Sequence, residues 1–176
     1  MKKCKVVFLD RDGVINKRPP MHEYVSCEKE LIVLPGVAEA IRRLNKAGLF
    51  VFVISNQRGV SRGLITMQEI EHLHEYLNEI LGREDAAIDG FYVCPHGENE
   101  CTCRKPAPGL LYMAEEDLRE KGYEIDKEHS VVIGDTDTDI EAGNAYGVKG
   151  IRIGDGPGEV KDLPAAVEIY LNLAGD

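Results

Sequence analysis

No apolar run in this sequence approaches the roughly 20 residues that a helix needs to span a bilayer, so no membrane partner is expected. Cations are scarce as well, 21 Lys and Arg against 31 Asp and Glu, for a net charge of −10. Nucleic acids and anionic membranes both require a cationic surface, and neither fits a chain of this charge. Any anion it binds must therefore be held by a local cluster of cations. Linker-like stretches, internal repeats and low-complexity segments are also missing, so residues 1–176 read as a single domain. The opening MKKCKVV is basic but runs straight into a short strand, without the apolar core or cleavage site of a signal peptide. The expectation is a cytoplasmic protein, monomeric, in which disulfides have no place.

What the chain does contain is alternation. Residues 5–10, 49–55, 88–94, 130–135 and 149–153 are short runs rich in Val, Ile and Phe, the pattern of strands buried on both faces. Helical patterns separate them. Pro35 and Gly36 open one, with Val37, Ile41 and Leu44 at helical spacing until Gly48. Thr66 and Glu69 form a capping-box pattern ahead of Ile70, Leu73, Leu77 and Ile80, with Gly82 as the stop. Pro108 starts a third helix through Leu111, Ala114 and Leu118 to Gly122, and residues 137–146 and 164–174 make two more. Such alternation predicts an α/β fold, a doubly wound parallel sheet of Rossmann type with helices on both faces. Its ligand site is then expected at the carboxyl ends of the strands.

That rule gives the strand ends their meaning. Asp10 with Asp12, Ser55 with Asn56, and Asp135 with Asp139 all fall at or just beyond a strand's carboxyl end, which brings them into one crevice. Close carboxylates repel by roughly 4 kcal/mol per pair at 4 Å in an effective dielectric near 20, so such a cluster calls for a cation. Oxygen-only ligands point to Mg2+. Read singly, each Asp also fits a turn or a helix cap, Asp137 and Asp139 in particular.

A second constellation is CPHGENECTC, in which Cys94, His96, Cys101 and Cys103 supply three thiols and an imidazole within ten residues. This is the donor set of a closed tetrahedral Zn2+ site, in a loop over residues 94–103. Cys4, Cys27, His22, His72, His74 and His129 read as ordinary structural residues. Lys17, Arg18, Arg58, Arg62, Arg104 and Lys105 cluster near the expected crevice, the local set of cations that an anionic ligand requires.

DRDGVIN, VISNQRGVSRG, CRKPAPG and GDTDTD stand in the order of the four motifs of the haloacid dehalogenase (HAD) superfamily. Over residues 5–153 the chain most resembles its capless branch, which holds the heptose bisphosphate and histidinol-phosphate phosphatases. No segment between the motifs is long enough for a cap domain. The resemblance implies a Mg2+-dependent phosphomonoester hydrolase in which Asp10 is the nucleophile and Asp12 the acid and base. It implies that Ser55 and Lys105 act with them, and that Tyr24, Asn56, Gln57, Arg58, Arg104 and Thr136 contact a phosphorylated sugar. Asp10, Asp135 and the Asp12 carbonyl are implied as Mg2+ ligands, with Asp139 in the outer shell, and the Cys/His loop as structural Zn2+. The expected substrate is D-glycero-D-manno-heptose 1,7-bisphosphate, losing its 7-phosphate; histidinol phosphate or another small sugar phosphate is the alternative. A phospho-acceptor signalling domain, which also pairs a strand-end Asp with Mg2+ and Lys, is the competing reading from another class. Two departures are plain: four residues separate His96 from Cys101, a short loop, and Thr136 stands where the heptose enzymes carry lysine.

Overall fold

The computed structural model describes residues 1–174. Five strands, β2 (Val6–Leu9), β3 (Phe50–Asn56), β4 (Gly90–Cys94), β6 (Val131–Gly134) and β7 (Lys149–Arg152), form one sheet in the order β4-β3-β2-β6-β7. Every pairing in it is parallel. The five helices that alternate with them are α1 (Val37–Lys46), α2 (Met67–Gly82), α3 (Gly109–Glu120), α4 (Asp137–Tyr146) and α5 (Leu163–Ala174).

Strand periodicity explains how the helices are shared between the faces. Val7 and Leu9 of β2 face a core completed by α1, α2 and α5, through residues such as Ile41, Leu44, Leu73 and Val167. Val6 and Phe8 point the other way, into a core built with α3 and α4 through Leu110, Ala114, Ala142 and Tyr146. Both β2 and β6 are buried along their whole length, as their unbroken apolar sequence requires. Most of the few aromatic residues serve the second core: the Phe8 ring lies 6.0 Å from Phe52 and 5.9 Å from Tyr146.

Two features differ from the sequence expectation. Short strands β1 (Lys2–Cys4) and β5 (Tyr123–Ile125) pair in parallel outside the main sheet. At three residues each they carry no period to read. The edge strands β4 and β7, expected to be buried on both faces, are only partly buried, because each has a neighbouring strand on one side alone. Helix α2 ends at Gly82 as expected, and the positive φ of the turn beyond it, 56°, belongs to Asp85. The Thr66 and Glu69 capping box forms as its sequence predicts, with Glu69 N–H donating to Thr66 Oγ1 at 3.1 Å. Among the described residues no helix is long and apolar enough to cross a membrane.

Chain order places β2 in the middle. The chain winds to one side through β3 and β4, then returns to the other side of β2 with β6 and β7, so the switch point lies at the carboxyl end of β2. At the opposite, amino end of β2 a buried polar link joins it to the start of β6: Val6 N–H donates to Ser130 Oγ at 2.9 Å and that hydroxyl donates to Asp126 O at 2.7 Å. Ser130→Ala strands a buried N–H and is expected to cost about 1–3 kcal/mol. Urea unfolding should show a lower midpoint at unchanged slope, and an unchanged midpoint would show the link to be dispensable.

Candidate active site

At the switch point β2 hands over to Asp10, whose N–H still donates to Ile133 O of β6 at 3.0 Å. The chain then folds back on itself, with the N–H groups of Val14, Ile15 and Asn16 all donating to Arg11 O. Gly13 makes this turn possible with a φ of 86°, and a Cβ there would run into the Asp135 carboxylate. Asp12 is thereby returned to the mouth of a crevice of about 560 Å³. Its lining includes Asp10, Asp12, Ser55, Asn56, Thr136 and Asp139, with the cations Arg18, Arg58, Arg62, Arg104 and Lys105. Residues 19–24 roof it, and the ring of Tyr24 packs so closely on Gly59 that a Cβ would stand 2.9 Å from it. A depression of equal volume at the opposite end of the strands, around Lys2, Lys3 and Tyr123, gathers no pair of carboxylates.

At the floor of the crevice sits Lys105, 3% exposed. Its ammonium donates to Asp139 Oδ1 at 2.6 Å, Ile54 O at 2.8 Å and Asp10 Oδ1 at 3.1 Å, which uses all three of its hydrogens. Burial works against the charge on Lys105, but Asp10 and Asp139 outweigh it and hold its pKa above the ordinary value. Asp10 is short of compensation. Burial pushes its carboxyl up to about 8, with Lys105 opposing and Asp139, Asp135 and Asp12 adding to the rise.

That excess of negative charge fits a divalent cation. One donor oxygen each from Asp10, Asp135 and Asp139 lies within 4.8 Å of the others. Asp135 Oδ1 is buried without a hydrogen-bond partner, while Oδ2 takes Arg18 at 2.7 and 3.0 Å. Both oxygens of Asp139 are engaged, Oδ1 by Lys105 and Oδ2 by the N–H and hydroxyl of Thr136 at 3.1 and 2.8 Å. Asp10 and Asp135 are thus the carboxylates with capacity for direct ligation, and a hard cation such as Mg2+ suits an all-oxygen set. Asp139 serves two ends at once, since it reaches back to the start of α4 like a cap and also partners Lys105.

Around Asp12 the donors converge. Arg11 Nε and Asn16 Nδ2 donate to Oδ1 at 3.1 and 3.0 Å, and Gln57 Nε2 stands 3.4 Å from Oδ2. Gln57, expected among the substrate contacts, is 1% exposed and does not line the crevice; its amide donates to Ser55 Oγ at 2.8 Å and orients that hydroxyl. Asn56 lines the crevice and also pairs through its amide with the backbone of Lys105, at 3.1 Å in each direction. Lys17 does not line it. Two residues here were not among the expected site residues: Arg11, wholly buried beside Asp12, and His74, read as an ordinary structural residue and 3.2 Å from Arg11. An arginine directly after a strand reads as a surface residue, and nothing local links it to a histidine 63 positions away.

The second donor set also assembles. The sulfurs of Cys94, Cys101 and Cys103 lie 3.3–3.5 Å apart, and His96 Nδ1 is 3.7 Å from Cys94 and 3.5 Å from Cys103. Tetrahedral coordination with Zn–S bonds of about 2.3 Å spaces sulfurs by roughly 3.8 Å, so the cluster fits an ion of this kind after a slight expansion. Cys94 ends β4, and Arg104 Nη1 donates to His96 O at 3.3 Å, tying this loop to the cations of the crevice.

The HAD-hydrolase-like family model matches residues 102–171. D-glycero-D-manno-heptose-1,7-bisphosphate 7-phosphatase of Chlorobaculum tepidum is 39% identical over 167 residues, 90% of this chain and 83% of that protein. The D-glycero-beta-D-manno-heptose-1,7-bisphosphate 7-phosphatase of Rhodopseudomonas palustris is 40% identical over 153 residues, 82% and 81% of the two. Among solved structures, the D,D-heptose 1,7-bisphosphate phosphatase of B. bronchiseptica in complex with magnesium and phosphate superposes with a TM-score of 0.82 at 29% identity, covering 96% of this chain and 99% of that one.

The charge balance of the floor makes a direct stability prediction. Lys105→Met leaves the Asp139 carboxylate buried without its cation, Asp10 being largely protonated in metal-free buffer at neutral pH, and is expected to cost about 3–5 kcal/mol. Guanidinium unfolding measures it, and a loss below about 1 kcal/mol would contradict the buried ion triad.

Proposed function

This chain belongs to the HAD-like hydrolases, and from that premise we propose that it is a Mg2+-dependent phosphatase that removes the 7-phosphate of D-glycero-D-manno-heptose 1,7-bisphosphate through an aspartyl-phosphate. The observation that carries the reading is the pair Asp10 and Asp12 at the end of β2, one buried against Lys105 and the other at the crevice mouth. Lys105 claims Asp10 Oδ1, leaving Oδ2 as the attacking oxygen. Asp12 gives a proton to the departing alkoxide and later takes one from the water that hydrolyses the acyl phosphate. Ser55, oriented by Gln57, and Asn56 hold the phosphoryl oxygens while charge moves through them. Asp10, Asp135 and the Asp12 carbonyl would hold Mg2+, which would supply the positive charge that lets an anionic nucleophile approach a phosphate dianion. Asp139, with its oxygens engaged by Lys105 and Thr136, would sit outside that set of direct ligands.

Arg18, Arg58, Arg62 and Arg104 line the same crevice and exceed what the reacting phosphate needs, so they take the second phosphate of a bisphosphate. Arg58 also argues against histidinol phosphate, whose ammonium group would meet a guanidinium there. Tyr24, seated on Gly59, and Thr136 complete the substrate contacts. In the same proposal Cys94, His96, Cys101 and Cys103 hold structural Zn2+, which fixes the direction in which Arg104 and Lys105 leave the loop. The enzyme acts as a cytoplasmic monomer, a single domain over residues 1–176.

Three measurements test this. Phosphate release should show the highest kcat/KM for one anomer of the heptose bisphosphate, ahead of fructose 1,6-bisphosphate and histidinol phosphate. Asp10→Asn should lower kcat by at least about a thousandfold. A preference for histidinol phosphate refutes the substrate, and one phosphorylation per chain without turnover indicates the signalling domain instead. Cys101→Ser, in protein that still folds, should lose bound Zn2+ and raise KM more than it lowers kcat. Full metal content with unchanged kinetics would reject the zinc assignment.

A further inference from the structure

Arg11 stands between the two reactive carboxylates in sequence and is 0% exposed. A guanidinium keeps its charge in a protein, and a buried ion pair is seldom favoured for stability over apolar residues of the same volume. Packing alone therefore does not account for an arginine in this position. Its contacts are specific. Nε donates to Asp12 Oδ1 at 3.1 Å, Nη1 lies 3.2 Å from His74 Nε2, and Nη2 is buried without a partner.

The tautomer of His74 follows from its partner. A guanidinium can only donate, so His74 Nε2 accepts and the ring proton resides on Nδ1. Burial, reinforced by Arg11, pushes the imidazole down to about 3 and keeps it a neutral acceptor. The ring is itself fixed, 5% exposed on α2 and stacked on Phe91 of β4 at 4.2 Å with an interplanar angle of 12°. A rigid path thus runs from the edge strand through Phe91, His74 and Arg11 to one oxygen of Asp12. Asn16 Nδ2 donates to that same oxygen at 3.0 Å, whereas Oδ2 has only the long 3.4 Å contact from Gln57.

We infer that Arg11, held in place by His74, is a positioning residue that locks Asp12 by Oδ1 and keeps Oδ2 available for proton transfer to and from the substrate. The inference rests on Asp12 being the acid and base of the proposed function, and a merely structural role for the pair predicts a different kinetic pattern. A misaligned Asp12 harms departure of an alkoxide, which needs a proton, but not departure of p-nitrophenolate, which does not. It harms the hydrolysis of the acyl phosphate with either substrate.

The test uses His74→Phe, which keeps a flat ring on Phe91 but offers no acceptor, His74→Gln, which restores one, Arg11→Met, and Asp12→Asn as reference. Thermal melts accompany each, and His74→Phe carries the test alone if Arg11→Met does not fold. With the sugar bisphosphate, His74→Phe and Arg11→Met should lower kcat about ten- to a hundredfold while KM stays within about twofold. With p-nitrophenyl phosphate their first turnover should release p-nitrophenolate at the wild-type rate, and only later turnovers should slow. His74→Gln should recover most of the lost kcat. An equal loss in the first turnover of both substrates, or no loss in either, would overturn the inference. Asp12→Asn separates the two levels: if it shows the split and the other variants do not, the positioning role fails; if its kcat is unchanged, the assignment of Asp12 fails with it.

Discussion

A single buried ammonium, that of Lys105, bonds to Asp10 beyond β2, to the Ile54 carbonyl of β3 and to Asp139 of α4. It joins three segments that lie far apart in the chain and meet only where the sheet reverses its winding. Without that cation the end of β2 would bury carboxylates against one another at a cost the apolar core around Val7 and Phe8 could not absorb. With it the floor is still short of positive charge, as the raised pKa of Asp10 records. The remaining deficit suits the site to a divalent cation and, in the proposed function, through that to a phosphate.

The rest of the site serves to fix the carboxylates that this charge balance leaves reactive. Gly13 lets the chain after Asp10 turn tightly under Asp135, and Asn16, Arg11 and Gln57 meet Asp12 from three directions. Lys105 is aimed by Asn56 on one side and by the cysteine loop on the other, since only one residue separates it from Cys103. Two polar clusters of opposite character, hard oxygens and soft sulfurs, therefore lie on either side of one lysine.

Much of this was legible in the sequence, and the physical reasons differ by element. The central strands β2, β3 and β6 announced themselves because burial on both faces demands unbroken runs such as VVFL and FVFVIS, whereas the edge strands β4 and β7 are only partly buried. The winding rule then converted strand ends into a site, where Asp10, Asp12, Ser55, Asn56, Asp135 and Asp139 do lie together, while Lys105 came from the family resemblance. The spacing of Cys94, His96, Cys101 and Cys103 was equally informative, because a metal-ligand set is local. What stayed hidden was non-local or ambiguous. Arg11 and His74 look ordinary until folding lays α2 beside the first turn. Gln57 has a residue type that suits a ligand contact, yet it is buried behind Ser55. Asp139 seemed a choice between cap and functional group, and its two oxygens perform both tasks.

The most direct test of the central claim is chemical trapping of the protein during turnover. Rapid acid quench with the sugar bisphosphate and Mg2+, followed by borohydride reduction and peptide mass spectrometry, should show that the phosphoryl group stood on Asp10 alone, read as reduction of its acyl phosphate to homoserine with loss of phosphate, in an amount that rises and decays as phosphate is released. Phosphoryl on Asp12, Asp135 or any other residue, or competent turnover with the protein unlabelled throughout, would contradict it.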